Sequence, residues 1–172
     1  MTPRGSCPER SLRAMPGQWR GMGPPASVEI RLRDVFRYCH TVVSAEIDVL
    51  GHANNVAYVE WMQQAALAHS AALGWPFQRY KDHGSGWVAR SHRIDYRQPA
   101  LPGDEIVVET WVATMQKVTS VRQYRILRVA DAKLLADAET KWAFINFATG
   151  QPVRIPAEIS AAFAVRNAPV LD

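Results

Sequence analysis

One long helical pattern, followed by four strand patterns, most constrains the fold of this chain. Within residues 56–73, Val59, Met62 and Ala66 fall near one helical face, and a glycine and a proline directly after the segment end it. Four extended segments then follow, at residues 86–96, 105–114, 120–129 and 135–147. A single helix must therefore cover one side of a sheet built from these strands.

The last strand pattern indicates which kind of sheet this is. Its apolar positions, such as Ala136 and Phe144, alternate with charged ones such as Asp137 and Lys141. One face is thus apolar and the other largely wet, which is typical of an antiparallel sheet. With a further strand over about 35–47, we predict an α+β fold: one long helix wrapped by a curved antiparallel sheet of about five strands. A short helix is expected over 156–163.

The chain length of 172 residues suits a single domain. Residues 1–27 hold nine of the 21 Gly and Pro residues, which predicts a disordered or misassigned extension before one domain at 28–172. Four arginines against one glutamate in that extension carry +3 of the formal charge of +4. The folded part is nearly neutral, which argues against nucleic-acid binding.

No segment has the composition of a membrane span or a secretory signal. No apolar run approaches the roughly 20 residues that a membrane helix needs, and the N-terminus lacks an apolar core. The two cysteines, Cys7 and Cys39, are too few for a disulfide framework and favour a reducing compartment. We therefore expect a cytoplasmic protein.

Residues 48–55, with the sequence DVLGHANN, place a carboxylate at the entrance of the long helix. A helix start presents unpaired backbone N–H groups and the positive end of the helix dipole. A carbonyl bound there would have its developing negative charge stabilised while Asp48 acts beside it. Asp48 is thus a candidate nucleophile or general base for hydrolysis, and its alternative role is that of a turn aspartate.

The residues after Asp48 have paired functional and structural interpretations. Gly51 allows a sharp turn that brings backbone amides near a substrate, or is an ordinary turn glycine. His52 hydrogen-bonds substrate or water, or only braces the loop. Asn54 or Asn55 caps the helix or contacts substrate, and capping is preferred. The amides from Asn55 to Ala57 are the candidate oxyanion donors.

The motif at 48–55 resembles that of the hot-dog-fold acyl-CoA thioesterases, and more narrowly the 4-hydroxybenzoyl-CoA thioesterase-like branch. Residues 56–62 (VAYVEWM) and 93–104 (RIDYRQPALPGD) extend the resemblance. It implies thioester hydrolysis with Asp48 as the catalytic acid, and homodimers or homotetramers with active sites at subunit interfaces. In one departure, Glu46 stands where many relatives have an aspartate, and we expect a solvated or pairing charge there.

The helix itself carries three further candidates. Tyr58 and Trp61 share a face and line an acyl pocket or, in the preferred interpretation, pack in the core. Glu60 is a second choice for the acid, because another branch of the fold places its acid within the helix. The predicted catalytic residues are thus Asp48, His52 and Asn55, and the predicted substrate contacts are Gly51, Asn54, Val56, Tyr58, Glu60 and Trp61.

The substrate implied by the resemblance is an acyl-CoA or related thioester, and no metal or other cofactor is expected because the histidines are scattered. Basic side chains near the site would meet the phosphates of coenzyme A. The candidates are Arg90, Arg93, Arg97, Arg122, Arg125 and Arg128.

Two other functions stay open from the sequence. An enoyl-CoA hydratase or dehydratase of the same fold would use Asp48 and His52 as a pair, although their spacing does not match that of the hydratases. A non-catalytic acyl-CoA sensor would use its basic extension to engage a partner.

Overall fold

The computed structural model describes residues 35–166. Its helices and strands, in chain order, are β1 (Phe36–Thr41), α1 (Asn55–Ala72), α2 (Phe77–His83), β2 (Ser85–Tyr96), β3 (Glu105–Met115), β4 (Thr119–Arg128), β5 (Leu134–Asn146) and α3 (Ala157–Ala162). A short 3-10 turn at Ser44–Glu46 separates β1 from the loop before α1. The predicted domain boundary after residue 27 lies outside the described residues.

The five strands form one antiparallel sheet in the order β1-β3-β4-β5-β2. The strands β3, β4 and β5 are neighbours in sequence and in space, whereas β2 is added beside β5 and becomes an edge. The predicted α+β class, with one long helix against a sheet of five strands, is confirmed. β1 and β2 are the two edge strands of the sheet. Within residues 35–166, no further strand pairs with the outer side of either one.

The core lies between α1 and the inner face of the sheet. Trp61, Met62 and Ala65 of α1 are at most 1% exposed, and they belong to the same buried cluster as Val108 and Ile126 of the sheet. Alanines along α1 keep the helix slim enough for this close contact. Of the predicted face, Met62 and Ala66 are buried, while Val59 is half-buried.

The first strand is shorter than predicted. It ends at Thr41, because the chain turns at Ser44–Glu46 and the Glu46 carboxylate accepts a hydrogen bond from the Val43 amide at 2.9 Å. The helix α2 was not predicted. Only Tyr80 of its seven residues is buried, so the segment offers too few apolar positions for a helical period to be recognised.

The prediction of a largely wet outer face is right for β5 and wrong for β3. On β5, Lys141 is exposed and Asp137 is half-buried. On β3, Glu109 and Trp111 are 1% and 2% exposed although they alternate with the inward-facing residues. Glu109 is buried because Arg37 and Arg125 both form ion pairs with it, at 3.0 and 2.6 Å.

Two further observations concern the predicted cellular location of the protein. No helix among residues 35–166 is long and apolar enough to cross a membrane. Cys39 is disulfide-bonded, which runs against the expectation of reduced cysteines. The cytoplasmic location stays a prediction.

Candidate functional site

The loop before α1 is a closed turn. Ile47 and Ala53 pair as an isolated antiparallel bridge, and the Asp48 amide donates to the His52 carbonyl oxygen at 2.8 Å. The Gly51 amide donates back to the Asp48 carbonyl oxygen at 3.1 Å. Gly51 has a φ of +80°, a left-handed conformation that residues with a Cβ rarely adopt. The sharp turn expected at this glycine is therefore present.

The Asp48 carboxylate is held by one oxygen. Its Oδ1 accepts hydrogen bonds from the amides of Leu50 at 2.8 Å and His52 at 3.4 Å. Its Oδ2 makes no hydrogen bond to any residue of the described chain, and the side chain is exposed. The turn thus fixes the direction of the carboxylate and leaves one oxygen available to a substrate or a water.

His52 takes part in the turn through its backbone. Its amide and carbonyl oxygen both bond to Asp48, whereas its imidazole makes no hydrogen bond within residues 35–166. The backbone therefore braces the loop, as one of the two interpretations proposed. A contact of the imidazole with substrate or water stays a prediction.

Asn54 is the N-cap of α1, in agreement with the preferred interpretation. Its Oδ1 accepts from the Ala57 amide at 2.8 Å, and its Nδ2 donates to the Glu46 carbonyl oxygen at 2.9 Å. The Ala57 amide is thereby occupied, so the prediction that includes it among the oxyanion donors is wrong. The amides of Asn55 and Val56 remain as candidates, since they precede the first intrahelical hydrogen bonds.

Replacing the cap provides a test of this local structure. We expect Asn54→Ala to lower the free energy of unfolding by about 0.5–2 kcal/mol, because the Ala57 amide and the Glu46 carbonyl oxygen both lose the Asn54 side chain as a partner. Asn55→Ala is the matched control, since Asn55 is exposed at the first helical position. Urea unfolding followed by circular dichroism measures both. An equal effect of the two replacements would contradict the assignment of the cap.

Glu46 is a pairing charge, as expected for the position that departs from the family pattern. Its carboxylate accepts from the His40 ring at 3.0 Å, the Val43 amide at 2.9 Å and the Trp61 indole at 2.8 Å. Desolvation raises the pKa of Glu46, but these three hydrogen bonds outweigh it and hold the pKa below its ordinary value. Glu46 thus ties β1, the 3-10 turn and α1 together.

The lowered pKa of Glu46 predicts a pH-dependent contribution to stability. The group stabilises the fold fully above its unfolded pKa, near 4.5, and this contribution is lost as the pH falls through the lower folded pKa. We expect Glu46→Gln to lower the free energy of unfolding by about 1–3 kcal/mol at pH 7. The gap between parent and variant should shrink below about pH 4.5. A gap that is constant from pH 7 to 3 would contradict the role of the ionised carboxylate.

Tyr58 and Trp61 lie in the core. They are 2% and 1% exposed, and their rings pack at 4.7 Å between centroids. The Tyr58 hydroxyl accepts from the Ala100 amide at 3.1 Å, and the Trp61 indole bonds to Glu46. This placement argues against a direct contact of either side chain with substrate. Glu60, in contrast, is exposed on α1, as is Val56 at the helix start.

Most of the arginines predicted near a phosphate have partners in the fold. Arg128 pairs with Asp104 at 2.9 Å and donates to the Pro99 carbonyl oxygen at 2.7 Å, so it braces the turn at residues 99–104. Arg93, Arg97 and Arg125 form ion pairs with Asp95, Asp137 and Glu109. Arg90 is exposed and makes no hydrogen bond or ion pair to the described residues, which leaves it the most available to a phosphate.

A cavity of about 410 Å³ lies between the second half of α1, α2 and the inner face of the sheet. None of the predicted catalytic residues or substrate contacts lines it, and of the six arginines predicted near a phosphate only Arg122 does. Its wall includes Arg122, whose inward direction was readable from the alternation with Tyr124 and Ile126 along β4. The cavity itself has no local sequence signal, because its walls come from α1, α2, the strands β2 to β5 and the residues that follow β5 and α3.

Residues 42–163, more than half of the chain, match the family model of the thioesterase-like superfamily. The chain belongs to this superfamily. An acyl-CoA thioesterase of Haemophilus influenzae is 25% identical over 74% of this chain and 93% of its own length. An acyl-[acyl-carrier-protein] hydrolase of Cuphea viscosissima is 27% identical, and there the match spans 80% of this chain but only 35% of the relative.

Solved structures share the fold of this chain. A 1,4-dihydroxy-2-naphthoyl-CoA thioesterase from Synechocystis superposes with a TM-score of 0.69, 21% identity, and coverage of 74% of this chain and 94% of that one. At this identity the likeness shows the fold alone. The predicted hot-dog fold is confirmed, and the predicted class of enzyme, a thioester hydrolase, is confirmed at the level of the family.

Proposed function

We propose that this member of the thioesterase-like superfamily hydrolyses an acyl thioester of coenzyme A, or of a related thiol, at the loop before α1. The observation that carries the proposal is the Asp48 carboxylate, anchored through Oδ1 and open at Oδ2, directly ahead of a helix start. Relatives named acyl-CoA thioesterases support the substrate class. The Cuphea relative is named for a substrate carried by a protein, so the proposal also includes thioesters of an acyl-carrier protein.

The chemistry needs a carboxylate beside the thioester carbon and donors at its oxygen. Asp48 either attacks the carbon to form a mixed anhydride, which water then cleaves, or takes a proton from an attacking water. In both routes the thiolate leaves, and negative charge develops on the former carbonyl oxygen. The amides of Asn55 and Val56, at the positive end of the α1 dipole, are the donors that we assign to this oxygen.

Three other residues have roles in this proposal. Gly51 holds the turn that presents the amides, and the free imidazole of His52 contacts the thioester or orders the water. Arg90 is assigned to a phosphate of coenzyme A, because it is exposed and has no partner in the described chain. No metal or redox cofactor enters the scheme, since the carboxylate and the amides supply both the nucleophilic and the electrostatic parts.

We also propose that the active protein is a homodimer or homotetramer with sites at its interfaces. β2 is a 12-residue edge strand, and an unpaired edge of this length is a template for pairing with a second chain. Val49, Leu50 and Val56, beside the candidate site, are 66–102% exposed, which suits a surface covered by another subunit. Sedimentation equilibrium measures the state directly, and a monomer at assay concentrations would overturn this part.

The deciding experiment is the release of free thiol from a panel of short, medium, long and aromatic acyl-CoAs and their carrier-protein counterparts. Turnover of at least one class is expected, and the panel then shows which acyl group is preferred. A folded protein that releases thiol from none of these substrates would overturn the proposal. An absorbance assay for enoyl-CoA hydration, run beside it, separates hydrolysis from double-bond chemistry.

A further inference from the structure

The cavity between α1, α2 and the sheet has the size and character of a ligand site. Its volume of about 410 Å³ falls within the usual range of small-molecule pockets, about 300–1,000 Å³. Its walls are mostly apolar, with Leu67, Val112, Trp142 and Phe163 among them. Leu67 and Phe77 are 50% and 65% exposed, so they mark the mouth of the cavity.

Arg122 is the one formally charged side chain in this lining, and it is 6% exposed. Its Nη1 donates to His69 Nδ1 at 2.9 Å and to Thr110 Oγ1 at 3.2 Å. Arginine has no acceptor, so His69 Nδ1 accepts and the imidazole is neutral there. Both partners are therefore uncharged. Within residues 35–166, the Nε and Nη2 donors of Arg122 make no hydrogen bond and no carboxylate pairs with it.

A buried guanidinium without a counter-charge is unfavourable. Burial lowers the pKa of Arg122, but an arginine starts from so high a pKa that it keeps its charge. The Phe163 ring, 5.9 Å from the guanidinium carbon, offers only a weak cation–π contact. The two remaining donors thus form an unpaired cationic group at the wall of an apolar cavity.

We propose that this cavity binds an apolar carboxylic acid. The carboxylate accepts hydrogen bonds from Nε and Nη2 of Arg122, a geometry that guanidinium favours, and the hydrocarbon part extends past Val112 and Phe163 towards the mouth at Leu67. The carboxylate supplies a negative charge beside the guanidinium. Burial of the hydrocarbon part of the acid against the apolar walls favours binding.

This site is separate from the loop at Asp48. No residue of the range 48–61 lines the cavity, and the helical rise places Ala66, which does line it, about 16 Å along α1 from Asn55. A free apolar acid is also what thioester hydrolysis releases. That link to the product rests on the proposed function, whereas the binding of the acid does not.

Calorimetric titration of the full chain with octanoate and with 1-octanol tests the proposal, because the two probes differ at the carboxylate and match in their chain. We expect octanoate to bind at least about tenfold more tightly, since a charge-assisted hydrogen bond to a buried guanidinium is lost with the alcohol. Acetate should not saturate over the same range. No binding of octanoate, or equal affinity for the alcohol, would overturn the proposal.

Arg122→Met is the matched variant, because methionine keeps the apolar volume and removes the charge. It should lower octanoate affinity at least about tenfold and leave octanol within about threefold. Arg154→Met is the control, since Arg154 is exposed and outside the lining. Unchanged octanoate affinity in folded Arg122→Met would overturn the role of Arg122. If that variant does not fold, the comparison of acid with alcohol in the parent still decides.

These measurements use no thioester, so the outcome is independent of turnover. A protein that binds octanoate through Arg122 and releases no thiol would support the acid site and overturn the proposed function. A protein that hydrolyses thioesters and binds octanol as tightly as octanoate would support the proposed function and overturn the acid site.

Discussion

Replacing Asp48 by Asn or Ala is expected to lower thioester turnover by at least about 100-fold, the scale on which an acid–base group contributes. Either replacement removes the carboxylate oxygen Oδ2, which makes no hydrogen bond to the described residues, in the loop before α1. Asn retains an oxygen that can accept from the Leu50 amide at the place of Oδ1, so it preserves the turn better than Ala does. Steady-state thiol release with the substrate preferred by the parent measures the loss.

Glu60→Gln is the matched control, because Glu60 is the other candidate acid and is exposed on α1. It should leave turnover within about threefold of the parent, a difference of less than 1 kcal/mol. Circular dichroism and urea unfolding of each variant show whether the fold is kept, which is expected since both side chains are exposed. A loss with Glu60→Gln and none with Asp48→Asn would transfer the catalytic role to α1.

Trp61→Ala is expected to lower the free energy of unfolding by about 3–5 kcal/mol, as removal of a fully buried aromatic side chain typically does. Trp61 is 1% exposed, packs against Tyr58 at 4.7 Å and donates to Glu46. The replacement leaves a cavity in the core and removes one of the donors to the Glu46 carboxylate. Urea unfolding followed by far-ultraviolet circular dichroism measures the change without using the lost fluorophore.

Two controls separate packing from the hydrogen bond. Trp61→Phe keeps most of the ring volume and loses the indole N–H, so a smaller loss of about 1–3 kcal/mol is expected. Leu67→Ala, at a 50% exposed position of the same helix, should change stability by no more than about 0.5 kcal/mol. If Trp61→Ala were as stable as the parent but impaired in substrate affinity, the pocket interpretation of Trp61 would be right and the core one wrong.

The long elements were predictable because their signals are local. The helix end at Gly74 and Pro76, and the alternation along β5, each depend on residues within one segment. A cap at Asn54 or Asn55 was predicted in the same way, since a cap contacts amides only three residues ahead, and the structure shows that it is Asn54. The short helix α2 escaped prediction because its single buried residue, Tyr80, creates no period.

Features that join distant segments were not predictable from local pattern. Glu109 alternates with apolar residues along β3, a pattern that by itself favours a solvated charge. It is buried because Arg37 and Arg125, 72 and 16 residues away, both bond to its carboxylate. Arg122 was one of six arginines alike by type, and only the fold places it beside His69 of α1, Thr110 of β3 and the Phe163 ring.

The sequence by itself determined the order of the long helix and the five strands, the α+β class and the candidate acid at a helix entrance, because capping, turn and periodicity signals act over a few residues. Only the tertiary structure decided which oxygen of Asp48 makes no hydrogen bond to residues 35–166, and that Tyr58 and Trp61 belong to the core. It also decided that Arg122 lines an apolar cavity without a carboxylate partner among those residues. Burial and charge pairing depend on which distant residues meet, and that depends on the packing of the helix on the sheet.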